Sequence, residues 1–311
     1  MKIIITGGDG FIGSHMVEVM LNEGHSVRVV ENKPRTKSRR LASLLSYIDW
    51  FEADCCDFHS LKNAFQGGDV VYHFASSTNQ TTSWDDPVRE VSEGILPAVV
   101  SMEAAATTGV SRFALASSAG AIYGLTSHLA NEETRLNPFT PYGIGKQSIE
   151  LFAGAIAART GMNVDLYRIS NPYGPNQATN TCQGVVAIWM RQIREGQMLR
   201  VYGDDRHKRD YIFVKDACRL MARSASRFDG SQVYNICSGN NISILDLLEL
   251  FRKVIPAGFQ YTVCNSRPFD NMATILDNTR IMQDFEGFQF LPIEDGLRET
   301  WRWHCLQSQF A

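Results

Sequence analysis

The sequence has no Cys-x-x-Cys pair, and its seven cysteines, at 55, 56, 182, 218, 237, 264 and 305, are odd in number and scattered. A disulfide framework or a metal site is therefore not expected, which fits a reducing, cytoplasmic setting. No apolar run approaches the roughly 20 residues needed to span a bilayer, so no membrane partner is expected. A surplus of positive charge is also missing: 30 Lys and Arg stand against 33 Asp and Glu, a formal net charge of -3. That balance argues against a nucleic-acid partner, and any phosphate recognition has to be local. Met1 to Thr6 runs straight into a glycine-rich turn and lacks the pattern of a signal peptide. Internal repeats and low-complexity linkers are absent. The most basic run, Lys33 to Arg40, reads as a solvated loop and helix start.

What is present is an ordinary globular composition, 44% hydrophobic and 20% charged over 311 residues, enough to bury a large core. Up to about residue 170, short β-branched runs alternate with helix-compatible stretches, the rhythm of βα units around a parallel sheet. Strands are expected at Lys2 to Thr6, Ser26 to Glu31, Asp49 to Ala53, Asp69 to Phe74, Arg112 to Ala116 and Asn163 to Ile169. Helices are expected at Gly13 to Glu23, Ser60 to Gln66, Pro87 to Thr108 and Pro141 to Thr160. The order predicts an α/β fold: a Rossmann-type doubly wound parallel sheet in residues 1–170, binding ligand at the carboxyl ends of its strands. Beyond Asn171 the rhythm breaks, and residues 171–311 are expected to form a smaller C-terminal lid whose segments can interleave with the first domain.

The first strand leads into Thr6-Gly-Gly-Asp-Gly-Phe-Ile-Gly-Ser14, with Gly7, Gly10 and Gly13 ahead of a helix. That spacing suits a tight turn, close backbone approach to a pyrophosphate and close packing of helix on strand, with the helix amino terminus supplying N–H donors. Glu31 closes the second strand, where an acid can accept hydrogen bonds from a ribose and repel a 2′-phosphate, which favours NAD over NADP. Lys33 and Arg35 lie close enough to serve that phosphate instead. Asp54 suits either an adenine contact or the cap of its own turn.

Tyr142-Gly-Ile-Gly-Lys146 puts a phenol and an ammonium on one helical face. A phenol of ordinary pKa, roughly 10, is a poor base at neutral pH, and a nearby cation lowers it toward use in proton exchange with a substrate hydroxyl. Ser117-Ser118 follows the fifth strand, where either hydroxyl could bond a reacting oxygen or cap a turn.

These residues, together with His73-Phe-Ala75, Arg168-Ile-Ser-Asn171-Pro-Tyr-Gly-Pro, Tyr202-Gly-Asp, Arg209-Asp-Tyr211 and Arg267-Pro-Phe-Asp270, resemble the extended short-chain dehydrogenases. Within that group the sequence is similar to the NAD-dependent epimerases and dehydratases, and most of all to UDP-glucose and UDP-N-acetylglucosamine 4-epimerases. The resemblance covers nearly the whole chain. It implies Tyr142 as catalytic base, Lys146 as its partner and ribose ligand, and Ser118 or Ser117 as the hydroxyl that orients the sugar. It implies NAD contacts from Phe11, Ile12, Asn32, Cys55, Phe74, Ala75, Ser76 and Tyr173 besides the glycines, Glu31 and Asp54. For the nucleotide sugar it implies Asn171, Gly184, Val185, Arg209, Arg267 and Asp270, with Arg200 to Tyr202 at the uracil and Thr274 beside the C2 substituent. Threonine is small there, so N-acetylated sugars are expected to fit. Related dehydratases carry an Asp-Glu pair, and decarboxylases a Glu, where this chain has Ala121-Ile122 before Tyr123; epimerisation at C4 through a 4-keto sugar is therefore the expected reaction, the alternatives being another NAD-dependent nucleotide-sugar enzyme (a dehydratase, a uronate epimerase, C2 or C5 chemistry) or a non-catalytic cofactor sensor. The resemblance also implies a homodimer through a four-helix bundle, with Val99, Met102, Ile149, Phe152 and Ile156 offered as stripes. The sequence departs from the pattern at Gly94, where asparagine is usual, at Pro97, where glycine is usual, and at Lys215, where an acid is usual.

Overall fold

Strand formation follows from apolar runs that helices can cover on both faces. The computed structural model describes residues 1–126, 128–178, 183–227, 229–265 and 274–307. Its strands are β1 (Lys2–Thr6), β2 (Ser26–Glu31), β3 (Ile48–Glu52), β4 (Val70–His73), β5 (Arg112–Ser118), β6 (Asn163–Ile169), β7 (Asn171–Tyr173), β8 (Leu199–Tyr202), β9 (Lys208–Phe213), β10 (Val233–Ile236), β11 (Asn241–Ser243) and β12 (Tyr261–Cys264). Seven of them form one parallel sheet in the order β10-β6-β5-β4-β1-β2-β3. In β1, Ile3, Ile4 and Ile5 are all buried, the continuous apolar pattern of a strand covered on both sides. The chain fills β1, β2 and β3 outward, then returns to place β4 against the other edge of β1. Strand order reverses there, and the carboxyl ends of β1 and β4 open the crevice where such folds take ligands.

The sheet draws its last strand, β10, from beyond residue 171, and the helix Val214–Arg227 packs on the helix Phe11–Asn22, so the two halves of the chain interleave. The rest of the second half forms the small sheet β11-β9-β7 and the pair β12-β8 around a core of its own, where Trp189 meets Phe251 edge-on with ring centres 5.3 Å apart.

The helix Pro141–Thr160 begins at Thr140, whose Oγ1 accepts from the Gly143 N–H at 3.1 Å, with Pro141 in the first turn. It ends at Gly161, whose φ of 75° closes the last turn. Ile149, Ile156 and Met102 pack inward against the sheet, because the helix buries the face that carries Lys146 and Glu150 as well. The stripe expected at a subunit interface is therefore mostly core. The exposed apolar side chains are Ile144, Leu151 and Phe152 on this helix and Val88, Val91 and Leu96 on its neighbour.

That neighbour, expected as one helix from Pro87 to Thr108, is α-helical at Pro87–Arg89 and Leu96–Thr107 but π-helical at Glu90–Ile95. Pro97 has no N–H for the carbonyl four residues back and its ring crowds that turn; the widened winding accommodates both.

One buried network ties these elements together. Arg168 on β6 pairs with Glu150 at 2.8 Å, both nearly sealed from solvent; Ser117 donates to Glu150 at 2.6 Å. Arg168 also donates to the Tyr123 hydroxyl at 3.0 Å, which donates to Asn235 on β10 at 2.6 Å. Removing one partner strands a buried charge. Arg168→Met is expected to cost about 3–5 kcal/mol of unfolding free energy, and Arg168→Met with Glu150→Met to recover much of it. Urea unfolding of both variants decides this; a single variant within about 1 kcal/mol of the parent would mean that the pair is not what holds these elements.

Candidate active site

The loop Gly7 to Gly13 lies at the point where β1 and β4 part. Gly7 has φ of 67°, and a Cβ there would press on the backbone of Ala75, 2.6 Å from its nitrogen. A Cβ at Gly13 would strike the Gly7 carbonyl. Phe11, Ile12 and Gly13 start the helix Phe11–Asn22, whose N-cap, Gly10, supplies no side-chain acceptor. First-turn N–H groups with no side-chain cap are donors suited to a phosphate.

Glu31 accepts the Asp9 N–H at 2.7 Å; burial pushes its carboxyl pKa up, against that hydrogen bond. Asp9, which sequence reasoning passed over, settles what the basic run does. Its buried carboxylate takes Lys33 at 2.7 Å and Ser38 at 2.8 Å, and Arg40 donates to its carbonyl at 3.1 Å. Burial pushes Asp9 up, but the Lys33 and Ser38 hydrogen bonds outweigh it and hold the carboxyl below its usual range. Arg35 donates to the Leu45 carbonyl at 2.6 Å. The cations that might have met a 2′-phosphate are engaged inside the loop. These donors and the acid at Glu31 fit an NAD adenosine and pyrophosphate.

Other expected contacts are placed as follows. Asn32 is exposed beside Glu31. Asp54 caps its own turn, accepting the Cys56 N–H at 2.8 Å, while burial pushes the Cys55 thiol to about 12. Phe74 and Ala75 are half-buried where β4 ends, and Ser76 is exposed. Tyr173 is a core side chain, its ring against Phe213 and its hydroxyl donating to the Ile293 carbonyl at 3.3 Å, a placement that suits packing better than ligand contact.

At the carboxyl end of β5 the two serines separate. Ser117 is buried and donates to Glu150, whereas Ser118 is half-buried and hydrogen-bonds the Tyr142 phenol. The hydroxyl beside the phenol is thus Ser118. The Lys146 ammonium lies 5.6 Å from the centre of the Tyr142 ring and donates to the Ala116 carbonyl at 3.2 Å. Burial, then the Glu90 charge, push the Tyr142 phenol above its usual range, while the Ser118 hydrogen bond acts the other way. Burial lowers the Lys146 pKa, and Glu90 and Glu150 oppose that. Burial and the Lys146 charge keep the nearby His73 imidazole neutral, near 3, with its Nδ1 2.9 Å from Thr6 Oγ1. Ala121, Ile122 and Tyr123, in the turn that follows Ser118, are buried.

Across the crevice, Asn171 on β7 pairs in register with Tyr211 on β9, and its amide donates to the Asp210 carbonyl at 2.8 Å. Arg209 precedes Tyr211 by two residues, on the same face of the strand. Asp204 is bonded to Arg206 and His207, and Asp210 to Ser170 and Ser238, while Arg209 donates to the Lys208 carbonyl at 2.8 Å. Arg200 is exposed and Tyr202 half-buried on β8, Gly184 and Val185 start the helix Val185–Arg194, and buried Thr274 donates to the Gly124 carbonyl at 3.1 Å. Arg267 and Asp270 lie outside the described residues.

A family model, NAD dependent epimerase/dehydratase family, matches residues 3–237. A UDP-glucose 4-epimerase of Mycolicibacterium smegmatis is 27% identical over 314 residues, covering 99% of this chain and 100% of that protein. A dTDP-glucose 4,6-dehydratase of Streptomyces niveus is 28% identical over 317 residues, covering 98% and 93%. Among solved structures, the UDP-glucose 4-epimerase of Thermotoga maritima with UDP-glucose superposes with a TM-score of 0.90 at 28% identity, covering 100% of both chains.

Glu31→Ser removes the acid at the second strand and leaves the Lys33 and Asp9 pair in place. The affinity ratio of NADP to NAD is expected to rise about tenfold, equivalent to about 1.4 kcal/mol. Calorimetric titration of both dinucleotides measures it, and an unchanged ratio would remove Glu31 from the cofactor site.

Proposed function

Because this chain belongs to the NAD dependent epimerase/dehydratase family, we propose that it inverts C4 of a UDP-hexose, acting on UDP-glucose and UDP-galactose and on their N-acetylated counterparts. The observation that carries this reading is the pairing of Ser118 with the Tyr142 phenol beside a turn, Ala121 to Tyr123, with no acid. Elimination or decarboxylation needs a further acid or base at the sugar, whereas epimerisation needs one group that takes the C4 hydroxyl proton and returns it.

In this reading Tyr142 Oη exchanges that proton and Ser118 Oγ fixes the C4 oxygen. Lys146 supplies positive charge behind the phenol. NAD, held by Gly7 to Gly13 and Glu31, supplies hydride acceptance and return when bound. Asn171 and Arg209 hold the diphosphate, as arginine suits paired phosphate oxygens, and Arg200 to Tyr202 flank the uracil. Gripping the substrate at its diphosphate leaves the hexose free to present either face.

Purified protein incubated with UDP-glucose or UDP-N-acetylglucosamine, without added cofactor, is expected to produce the galacto epimers, read by NMR. Tyr142→Phe should lower turnover by about 10²- to 10⁴-fold. Thr274→Tyr should suppress turnover of the acetylated substrate far more than of UDP-glucose. Accumulation of a 4-keto-6-deoxy sugar would instead establish a dehydratase.

The exposed face formed by Ile144, Leu151 and Phe152 with Val88, Val91 and Leu96 supports a second proposal, a homodimer joined through these helices. Light scattering is expected to give twice the chain mass of 34.8 kDa, and Leu151→Glu to give the monomer. A parent protein that is monomeric at micromolar concentration would end this proposal.

A further inference from the structure

Glu90 is a buried carboxyl group that the reaction above does not use. It is 2% exposed, sits at the start of the π-helical turn, and accepts from Ser83 Oγ at 2.5 Å on Oε2; its Oε1 is sealed from solvent, and Thr78 is the further hydroxyl that acts on the carboxyl. Two glycines make the space it fills. A Cβ on Gly145, between Tyr142 and Lys146 in the same helix, would collide with Oε1, and a Cβ on Gly94 would lie 2.5 Å from it. Gly94 is one of the positions where this chain departs from the usual asparagine, so a carboxyl group reaches the space that a side chain at 94 would otherwise take.

Ser83 from the helix Gln80–Asp85 and Thr78 from the preceding loop act on it, and the turn from Tyr142 to Lys146 passes against it at Gly145; burial raises its pKa, and Ser83, Thr78 and the Lys146 charge oppose that. Lys146 is the cation whose field reaches it, and the other carboxylate near Lys146, Glu150, is already paired with Arg168. We propose that Glu90 is a positioning residue of the Tyr142–Lys146 pair, a buried carboxylate that keeps the lysine charged and sets the pH at which the phenol ionises. The proposal rests on Tyr142 and Lys146 being the acid–base pair, not on the identity of the sugar. Its physical content is a compromise: the carboxylate compensates the ammonium that burial disfavours, but it opposes a second negative charge on the phenol, so the phenolate that does form is the more basic.

The test needs no substrate. In NAD-loaded protein with carbon-13 at the phenol carbon of tyrosine, the Tyr142 signal, assigned by its loss in Tyr142→Phe, is followed by NMR against pH. Glu90→Gln keeps the shape and removes the charge; its Tyr142 ionisation is expected to begin about one pH unit lower than in the parent. Glu90→Leu, which removes the charge without leaving a buried amide to satisfy, is expected to shift it the same way. If Glu90→Gln folds poorly, Glu90→Leu decides alone. A Tyr142 titration unmoved or moved upward in the folded variants overturns the proposal, whatever the turnover assays show.

Discussion

Burying charge beside charge is the constraint on which this molecule depends. Around the helix Pro141–Thr160 two cations, Lys146 and Arg168, and two carboxylates, Glu150 and Glu90, are all removed from water. An isolated buried charge is costly, and each of these is tolerable only through the others. Arg168 and Glu150 satisfy one another directly and lock β5, β6 and β10 to the helix through Ser117, Tyr123 and Asn235. Among the described residues Lys146 donates only to the Ala116 carbonyl, and it otherwise relies on the fields of the two carboxylates. The helix therefore has one angle of approach to the sheet, and that angle delivers Tyr142 to Ser118 at the end of β5.

This arrangement divides what could be read from the sequence from what could not. Strands β1, β2 and β6 were legible to the residue, because apolar runs bounded by turns are a local signal. The Tyr142 to Lys146 spacing was legible because one helix carries both. The use of Lys33 was not, since Asp9 is far from it in sequence and meets it only when β1 and β2 pair. The separation of Ser117 from Ser118 had the same character: β5 runs two residues further than expected, and strand alternation then turns one hydroxyl to Glu150 and the other to the phenol. The stripe at Ile149, Ile156 and Met102, which the resemblance assigns to a subunit interface, packs inward, because periodicity finds an apolar face without saying what it meets.

The departures at Gly94 and Pro97 read from sequence as two separate losses. In the fold they belong to one change. Pro97 widens the preceding turn, the turn starts at Glu90, and Gly94 and Gly145 leave the room that its carboxyl occupies. Had either glycine carried a Cβ, the Glu90 carboxyl would have had to shift from the place it holds against the Tyr142–Lys146 turn.

A buried acid so near Tyr142 raises the question whether it could drive elimination, which would favour a dehydratase over an epimerase. Its enclosure argues against that. An acid that protonates a leaving hydroxyl has to reach the sugar, and Glu90 is closed in by Gly94, Gly145 and Ser83 with almost no exposed surface. In the turn beyond Ser118, Ala121 and Ile122 are both buried apolar side chains. The carboxyl group can act on the phenol and the ammonium by its field but not on the substrate by contact. A site whose buried charges are spent on holding the phenol and the ammonium suits the proposed epimerisation, which takes a proton at C4 and returns one.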